Sequence, residues 1–560
     1  MLEQVKIIAL GGLDEDGRNC ILVEINNDIF VIGCGIRFPD KTMPGIDYVI
    51  PDFSYLKAKK EQVRGYFLLN GHDDQIGALA YIYQDVPAPV YGSAVTLGML
   101  KIFMKHVDMD PNMFDLHVVE PSSSFKVAGR LIQYFQTAHN IACSSGVAIQ
   151  SAQGNIVFTN SFVVENNSSK NYLHDFRRIA QVSETAPTLV LMTESSYAER
   201  SGYTAPNYKL TPHIEQALRD AKGRVFISLF SVNCYNIDEV IALAVATRKR
   251  IIPYDEGSQR TLNEMQSTGQ FVIPRDNYAP ISDLNRYKDE DVIVLILGHG
   301  AKLFHKIALL ASGESEGHFV TLKESDTFIV ASPGNYNTEI EATDALDELY
   351  RAGVHVIALN KKQLLKMHAS EEDLKMMISV FRPIYYIPVK GFYRDLLANA
   401  KVALSMGINL SHNNVFLLEN GLSWVYDGKS PRLIDESIPH GDIMIDGIGV
   451  GDVSASVIND RQKLTEGLVV LSVTLGKQSH RIIAGPEVQI RGLVFMRDSD
   501  VIARDLGNLF VNAIQEEFAE GKTDMDDIRQ SVYERCLRQI RRDSGKDPMV
   551  LPLIIEVKES

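Results

Sequence analysis

The amino-acid sequence contains no uninterrupted apolar run of about 18 residues, the length that a membrane-spanning helix requires. Its first residues also lack the basic and then apolar layout of a secretory signal. Cysteine is scarce: the five cysteines lie far apart, and no two of them form a C-x-x-C pair. This spacing excludes a zinc ribbon, a dithiol redox motif and a disulfide framework. Together these absences predict a cytoplasmic protein in a reducing compartment, with no membrane partner.

Positive charge is in deficit. The chain has 56 Lys and Arg residues against 71 Asp and Glu residues, which gives a formal net charge of −15. Proteins that bind RNA or DNA gain much of their affinity by neutralising phosphates with Lys and Arg, so the composition alone does not favour a nucleic-acid partner. Charge by itself favours a metabolic enzyme or an assembly subunit, and any claim of RNA binding depends on motifs.

The remaining composition is that of a large globular protein, with 45% hydrophobic and 23% charged residues. A length of 560 residues predicts roughly three or four domains. Short apolar or alternating runs separated by Gly, Asn and Asp predict strands. These runs are residues 5–10, 20–25, 28–33, 65–69, 131–135, 146–150, 155–159 and 188–192.

The second half of the chain changes its pattern twice. From about residue 210 helical patterns alternate with apolar strands, as in βαβ units with a mostly parallel sheet. A helix is predicted at 371–381 and a strand at 384–389, and their pattern resembles that of the first part of the chain. Past residue 450, the strand-like segments GLVVLSVTL and RIIAGPEVQIRGLVFM, a polar helix near 523–543 and the run VLPLIIEV predict a terminal α/β unit.

The strongest chemical signal lies in residues 67–82, which read FLLNGHDDQIGALAYI. Apolar residues at helical spacing from Ile76 to Tyr83 predict a helix after the loop, so the stretch is interpreted as strand, loop and helix. A dinuclear metal site at such a loop requires H-x-H-x-D-H, because these side chains converge on two divalent ions roughly 4 Å apart. Here Asn70 and Gln75 replace the first and last histidines of that pattern.

Longer motifs connect this stretch to a known family. They include ALGGLDEDGRNCILVEI, TAHNIACSSGVAI, TESSYAERSGYT, RVFISLFSVN, MHASEEDLKMMI and RPIYYIPVKGFYRDL. With these motifs the sequence resembles, nearly from end to end, the ribonuclease J family of metallo-β-lactamase-fold nucleases with an inserted β-CASP domain. The resemblance is closest to the site-depleted second member of bacteria that carry two such proteins.

The resemblance implies an α/β fold with three parts. They are a metallo-β-lactamase αββα sandwich, an inserted β-CASP α/β domain and a small C-terminal α/β domain. The sandwich is expected to consist of residues 1–207 and 366–450, with the β-CASP insertion at 208–365. Residues 451–560 are expected to form the C-terminal domain, which supports dimer contacts in the family.

The resemblance also assigns residues to a depleted metal site. His72, Asp74 and His139 match metal ligands of the family, and Asp74 is in addition a candidate catalytic residue. At the other ligand positions the expected residues are replaced, by Asn70, Gln75, Ser161 and Lys390. Zinc sites use three or four protein ligands, so we expect zinc, manganese or magnesium at low occupancy, or no metal.

Three further positions bear on this site. Glu194 retains an acidic side chain after the strand at 188–192, and Tyr235 stands where the family has a histidine. Because a buried carboxylate without a partner is costly, we expect the ammonium of Lys390 to pair with Asp74 and to substitute in part for the missing metal charge. The alternative is that Lys390 is an ordinary solvated lysine.

The family resemblance implies that RNA lies between the first two domains. The residues expected to bind it are Asn233, Leu364, Leu365, Lys366, Met367, His368 and Ser370. His368 is also a candidate catalytic residue. Imidazole, hydroxyl, amide and backbone N–H groups can also bind phosphate, as Lys does. RNA binding can therefore be retained where catalysis is lost. A purely structural role is the alternative for two of the candidate residues. Ser370 before EEDL suits a helix N-cap with a capping box, and His139 suits a hydrogen-bonded turn.

Two functions remain open from the sequence. In the first, the chain is a ribonuclease of rRNA maturation and mRNA turnover, with weak 5′–3′ exonuclease and endonuclease activity on single-stranded RNA. In the second, it is a non-catalytic RNA-binding or assembly subunit. In both, the resemblance implies a complex with a catalytically complete ribonuclease J paralogue, and a homodimer or tetramer when the chain is alone. A metallo-hydrolase with a non-nucleic substrate is a minor third interpretation.

Overall fold

The computed structural model describes most of the chain, and the described ranges are 3–40, 42–165, 169–314, 320–334, 338–447, 449–451, 454–493 and 499–558. The chain divides into two compact units. The larger unit comprises Met1–Phe38 and Val49–Ile443, and the smaller comprises Pro39–Tyr48 and Met444–Ser560. Within the described ranges, no helix combines the length and the apolar character that crossing a membrane requires.

The first part of the larger unit is rich in strands. In chain order its elements are β1 (Val5–Gly11), β2 (Cys20–Ile25), β3 (Asp28–Ile32), β4 (Tyr48–Pro51), α1 (Ser54–Ala58), β5 (Val63–Phe67), α2 (Asp73–Ile76), α3 (Leu79–Ile82), β6 (Val90–Gly92), α4 (Ala94–His106), β7 (Leu116–Val118), β8 (Ser124–Val127), β9 (Arg130–Gln136), β10 (Ser145–Ser151), β11 (Gly154–Phe158), α5 (Phe176–Thr185) and β12 (Thr188–Glu194). Each strand expected from an apolar run is present. The largest displacements of an end are those of β5, which is Val63–Phe67 instead of 65–69, and of β12, which ends at Glu194 instead of residue 192.

The helix expected after the loop at 70–75 is broken into α2 and α3. Backbone groups of this segment bond to a distant loop instead of continuing one helix. Cys34 N donates to Gln75 O at 2.7 Å, and Ala78 N donates to Cys34 O at 2.9 Å. These tertiary hydrogen bonds take the place of helical ones. The spacing of apolar residues alone could therefore not predict that the helix is interrupted.

The middle of the larger unit is a parallel α/β insertion. Its elements are α6 (Thr211–Asp220), β13 (Val225–Phe230), α7 (Cys234–Thr247), β14 (Arg250–Pro253), α8 (Glu256–Ser267), β15 (Val292–Gly298), α9 (Gly300–Ser312), β16 (Thr327–Val330), α10 (Glu339–Arg351) and β17 (His355–Ala358). The five strands are parallel, in the order β14-β15-β13-β16-β17. Apolar clusters lie on both faces of this sheet, so the expected βαβ pattern is confirmed.

The last part of the larger unit returns to the two sheets of the first part. Its elements are α11 (Glu371–Phe381), β18 (Tyr385–Val389), α12 (Tyr393–Ser405), β19 (Leu422–Tyr426) and β20 (Pro431–Asp435). One sheet has eight strands in the order β20-β19-β1-β2-β3-β5-β6-β7, and the other has six in the order β18-β12-β11-β10-β9-β8.

The two sheets enclose a common core. Phe30 and Phe67 of the eight-stranded sheet belong to one buried cluster with Tyr134, Ile149 and Met192 of the six-stranded sheet. Helices α5, α11 and α12 cover the other face of the six-stranded sheet, and α4 packs on β6 and β7. The layers are therefore helix, sheet, sheet and helix, which is the expected αββα order.

The rest of the chain consists mainly of a small α/β unit. Its elements are β21 (Asp442–Asp446), β22 (Gly449–Val450), α13 (Ala455–Glu466), β23 (Leu468–Gly476), β24 (Ile482–Arg491), α14 (Ser499–Ala519), α15 (Met525–Ser544) and β25 (Met549–Val557). Strands β24, β23 and β25 form a sheet in that order. Val469 and Leu471 of β23 pack in one core with Leu506 and Phe510 of α14 and Val532 of α15.

Helix α14 was not anticipated from the sequence. Its buried residues Ile502, Leu506, Phe510 and Ala513 recur at helical spacing, so the pattern was available. The segment RIIAGPEVQIRGLVFM is a strand only as far as Arg491. The end of this segment falls in residues 494–498, which lie outside the described residues. Residues 335–337 also lie outside them.

A buried ion pair in the insertion gives a test of this fold. Asp326 is fully buried, and its Oδ1 accepts hydrogen bonds from Arg224 N at 3.2 Å and Arg224 Nε at 3.1 Å. Asp326→Ala leaves a buried guanidinium without its carboxylate, so the free energy of unfolding should fall by about 3–5 kcal/mol. Urea unfolding followed by circular dichroism measures this change.

The matched control removes an exposed ion pair of the same insertion. Asp289 pairs with Lys323 at 2.6 Å, and both side chains are more than a third exposed. Asp289→Ala should change the free energy of unfolding by less than about 1 kcal/mol. Equal losses for the two variants would contradict the account of the buried pair.

Candidate functional site

The ends of parallel strands bring the expected site residues together. β11, β12 and β18 are neighbouring parallel strands, and Ser161, Glu194 and Lys390 lie at or just beyond their carboxyl ends. Because the carboxyl ends of parallel strands meet at one edge of a sheet, these side chains reach one region. The loop after β5 of the facing sheet adds His72 and Asp74.

Two of the expected metal ligands are adjacent imidazoles that are already hydrogen-bonded. The ring centroids of His72 and His139 are 5.2 Å apart. His72 Nε2 lies 2.6 Å from Asn140 Oδ1, and His139 Nδ1 lies 2.7 Å from the carbonyl oxygen of Met367. Burial lowers the pKa of His72 and holds the pKa of His139 well below its ordinary value. Both rings are therefore neutral near pH 7, and each donates its one proton to an oxygen acceptor.

Asp74 is oriented by an asparagine distant in sequence. Asn19 Nδ2 donates to Asp74 Oδ2 at 2.7 Å and to the Asp74 carbonyl oxygen at 3.0 Å. The backbone joins in, because Asn19 N also donates to Asp74 O at 3.1 Å. Gly35 permits this close approach, since a Cβ at that position would lie 1.7 Å from Asp74 O. Asp74 is thus held in place by the protein alone.

Lys390 points into the site. Only 8% of its side chain is exposed, and its Nζ donates to Ser161 Oγ at 2.7 Å and to Asn160 Oδ1 at 3.4 Å. Asp74 Oδ2 lies 3.9 Å from the same Nζ. The expected pairing with Asp74 is confirmed as an ion pair, whereas the closest hydrogen-bond partner is Ser161. The alternative of a solvated lysine is wrong.

These residues do not fit a dinuclear metal centre. Within the described ranges, no group of three or more His, Cys, Asp or Glu side chains is arranged to hold an ion. His72, Asp74 and His139 stay a predicted, vestigial set of ligands, and the described side chains do not support a filled dinuclear centre. The physical reason is the ammonium of Lys390 beside Asp74, together with side chains at the replaced positions that supply no imidazole or carboxylate.

A second pair, Glu194 and His368, closes the site on the side of the insertion. His368 Nδ1 lies 2.7 Å from Glu194 Oε2, and Glu194 Oε1 accepts from Phe162 N at 2.8 Å and Ala369 N at 2.9 Å. Burial would raise the pKa of Glu194, but contact with His368, the charge of Lys390 and these backbone donors hold the pKa below its usual value. Glu194 therefore fixes both the imidazole and the loop that carries it.

The loop at 364–370 contains most of the residues expected to bind RNA. Leu364, Leu365 and Met367 are at most 8% exposed, so only their backbone groups can contact a ligand, whereas Lys366 is exposed. Ser370 is fully buried, and its Oγ lies 2.6 Å from Thr204 Oγ1. Ser370 N donates to Asp373 Oδ2 at 2.9 Å. Ser370 therefore caps α11, as the structural alternative expected, and its contact with RNA stays a prediction.

Asn233 and Tyr235 lie at the start of α7. Asn233 is the half-buried N-cap residue of that helix. The carbonyl oxygen of the preceding residue, Val232, accepts from Asn140 Nδ2 at 3.4 Å, which joins the insertion to the His72 side of the site. Tyr235 packs edge-on to Tyr172, with ring centroids 5.0 Å apart. An aromatic contact thus occupies the position of the expected histidine.

Three asparagines of the site were missed from the sequence. Asn19, Asn140 and Asn160 orient Asp74, His72 and Lys390 respectively. Asn140 directly follows His139 in TAHN, and Asn19 ends the motif GLDEDGRN. The signal available was their position inside the family motifs, since an amide has no characteristic spacing of its own.

Restoring the replaced ligands tests whether these positions still outline a metal centre. The quadruple variant Asn70→His, Gln75→His, Ser161→Asp and Lys390→His regains imidazoles and a carboxylate and loses the ammonium, so it should bind about two zinc or manganese ions per chain. Plasma mass spectrometry after dialysis measures the metal content. The control carries Ala at the same four positions. A rebuilt variant with no more metal than this control would contradict the assignment.

Comparisons with known proteins agree with this geometry. The family model described as Ribonuclease J, beta-CASP domain matches residues 222–346, and the model described as Ribonuclease J C-terminal domain matches residues 456–557. The chain is 32% identical over 556 residues to Ribonuclease J 2 of Staphylococcus aureus, covering 99% of each chain. It is 31% identical over 556 residues, again 99% of each chain, to Ribonuclease J 2 of Staphylococcus epidermidis.

A solved structure supports the fold. A protein of unknown function from Enterococcus faecalis aligns with 76% of this chain and 100% of its own, with a TM-score of 0.51 and 15% sequence identity. At that identity the likeness shows the fold alone. The predicted fold class is confirmed by the matched domains and the observed layers. Because the similarity to the curated relatives runs over nearly the full length, the chain belongs to the ribonuclease J family.

Proposed function

We propose that this chain acts in RNA processing and decay, including rRNA maturation and mRNA turnover, as a ribonuclease J-type protein that binds single-stranded RNA. Its own hydrolytic activity is weak or absent. The observation that carries the proposal is the ammonium of Lys390, which lies 2.7 Å from Ser161 Oγ and 3.9 Å from Asp74 Oδ2. The ribonuclease J family implies metal dependence, and this chain departs from its family at that point.

The loss of metal ligands removes the usual source of a nucleophile. In dinuclear hydrolases the ions lower the pKa of bound water and stabilise both oxygens of an in-line displacement. Burial lowers the pKa of His72 and of His139, so each imidazole is a weaker general base than a solvent-exposed one. Of the two carboxylates, Asp74 is engaged by Asn19 and lies beside Lys390. The other, Glu194, is engaged by His368 and two backbone N–H groups. No group of the site is therefore placed to activate water strongly.

RNA binding does not require those ions. Lys361, Lys362 and Lys366 are exposed on the segment that leads to His368. They provide local positive charge in a chain whose net charge is −15. Cationic side chains next to backbone and imidazole donors are typical of phosphate contacts, which position RNA without reading its sequence. These features support single-stranded RNA as the ligand.

A catalytically complete ribonuclease J is the proposed partner. The relatives of this chain are named Ribonuclease J 2, and such a numbered name supports the existence of a paralogue. In such a complex the depleted site would add RNA-binding surface, while the partner would hydrolyse the RNA. We propose a hetero-oligomer with that paralogue in the cytoplasm, and a homodimer or tetramer when the chain is alone.

A second candidate is a slow 5′–3′ exonuclease with some endonuclease activity. The observation that favours it is the intact pair of His368 and Glu194, with Nδ1 and Oε2 2.7 Å apart. Since Glu194 engages Nδ1, Nε2 is the ring nitrogen that remains for proton transfer or a hydrogen bond to phosphate.

Nucleotide release from RNA separates the two candidates. The purified chain and its His72→Ala variant are incubated with 5′-monophosphorylated single-stranded RNA and manganese, magnesium or zinc. We expect equal, background release from both proteins, because several ligands of a dinuclear centre are replaced, and we expect both to bind the RNA in fluorescence anisotropy. Release by the wild type that His72→Ala abolishes would overturn the non-catalytic interpretation. A folded wild type without RNA binding would overturn the proposed function itself.

A further inference from the structure

We propose that Lys390 is a built-in cation, and that the pocket around it binds a phosphodiester of single-stranded RNA without any divalent ion. This inference rests on the proposed function and adds to it a binding site with a stated chemistry. It starts from the disagreement between the family's metal dependence and the residues that occupy the site. A protein ammonium would then do electrostatically what a metal ion does in the family, without generating a hydroxide.

The backbone fixes the direction of the Lys390 side chain. Lys390 has a φ of +57°, a conformation that residues other than glycine adopt only where the surroundings hold it. Its carbonyl oxygen accepts from Ser195 N at 3.0 Å, and the next residue, Gly391, bridges to Leu13 and Glu15. Lys390 is therefore built into the site and does not sample it as a mobile surface lysine would.

The ammonium of Lys390 is incompletely satisfied. An ammonium has three donors. Ser161 Oγ takes one at 2.7 Å and Asn160 Oδ1 takes another at a long 3.4 Å. Asp74 Oδ2 is at 3.9 Å, which is too far for a direct hydrogen bond. An anionic oxygen entering beside Lys390 would gain a charge-assisted hydrogen bond that the protein itself does not make.

Buried amides occupy two of the replaced ligand positions and the position before Ser161. Asn70 and Asn160 are fully buried and Gln75 is 1% exposed. Within the described residues, the side-chain amide nitrogens of all three lack a hydrogen-bond acceptor. Buried polar groups are rarely left unpaired. A surplus of donors over acceptors, next to an ammonium, is complementary to phosphate oxygens, which only accept.

Lys390 compensates the charge of Asp74. The two carboxylates of the site are Asp74, whose nearest cation is Lys390 at 3.9 Å, and Glu194, which bonds to His368 at 2.7 Å. Without the ammonium, a phosphate entering here would face the uncompensated charge of Asp74. Lys390 removes that repulsion, so a metal ion is not needed for the RNA backbone to approach.

A double-mutant cycle on RNA affinity tests this role. The probe is a fluorescein-labelled single-stranded RNA, and anisotropy gives its Kd with excess EDTA and with manganese. We expect the wild-type Kd to be the same in both conditions. Lys390→Met should weaken binding about tenfold or more, the loss expected for a charge-assisted hydrogen bond to phosphate. Asp74→Asn in the Lys390→Met background should recover part of that loss, because the repelling charge is gone while the hydrogen bond from Lys390 stays absent.

Matched variants show whether the loss of affinity belongs to the ammonium of Lys390 or to a general loss of positive charge. Lys401→Met changes an exposed lysine of α12 and should leave the Kd unchanged. Lys390→Arg keeps the charge and should bind RNA close to the wild-type level. If Lys390→Met does not fold, Ser161→Ala takes its place, since it removes the hydrogen bond that orients Nζ and should weaken binding by a smaller factor.

The outcomes distinguish the inference from the proposed function. Wild-type binding that EDTA weakens, or equal Kd values for the wild type, Lys390→Met and Ser161→Ala, would overturn the built-in cation while RNA binding stands. A folded wild type that binds no RNA would overturn the proposed function and the inference with it. A Kd insensitive to EDTA and weakened by Lys390→Met, with recovery in the double variant, supports both.

Discussion

A buried ammonium at the carboxyl end of β18, the edge strand of the six-stranded sheet, is the constraint on which this site depends. Lys390 is only 8% exposed, so its charge has to be met by nearby oxygens. Ser161 and Asn160 supply the closest ones, and Asp74 supplies the nearest carboxylate. These partners come from two segments, one after β11 and one after β5, that the αββα packing brings to one edge. The site is thus arranged around one fixed protein cation instead of exchangeable metal ions.

The hydrogen bonds that persist around Lys390 are those that also support the fold. Glu194 binds two backbone N–H groups as well as His368, so it joins the loop at 364–370 to the sandwich. Asn19 joins the first loop of the eight-stranded sheet to Asp74. Such groups remain useful when hydrolysis is lost, because a buried polar group without its partner destabilises the protein. The RNA-binding surface can therefore be retained in a member of the family that has lost hydrolysis.

Local patterns predicted the strands. The family motifs assigned His72, Asp74, His139 and Lys390 to one site, and a solvated Lys390 was left open as the alternative. Long-range hydrogen bonds were out of reach: the break between α2 and α3 depends on Cys34, and the tautomer of His139 depends on the Met367 carbonyl. Ser370 could be interpreted in two ways, because helix caps and phosphate contacts use the same residue types. The helical pattern of α14 was present in the sequence and was overlooked.

The most direct test of the account is a crystal structure of the wild-type chain grown with manganese and a single-stranded RNA, with anomalous diffraction data that locate the metal. The account predicts no anomalous peak between His72, Asp74 and His139, and a phosphate oxygen within hydrogen-bond distance of Lys390 Nζ. A manganese peak among those three residues, with the Lys390 ammonium displaced from Ser161, would contradict it.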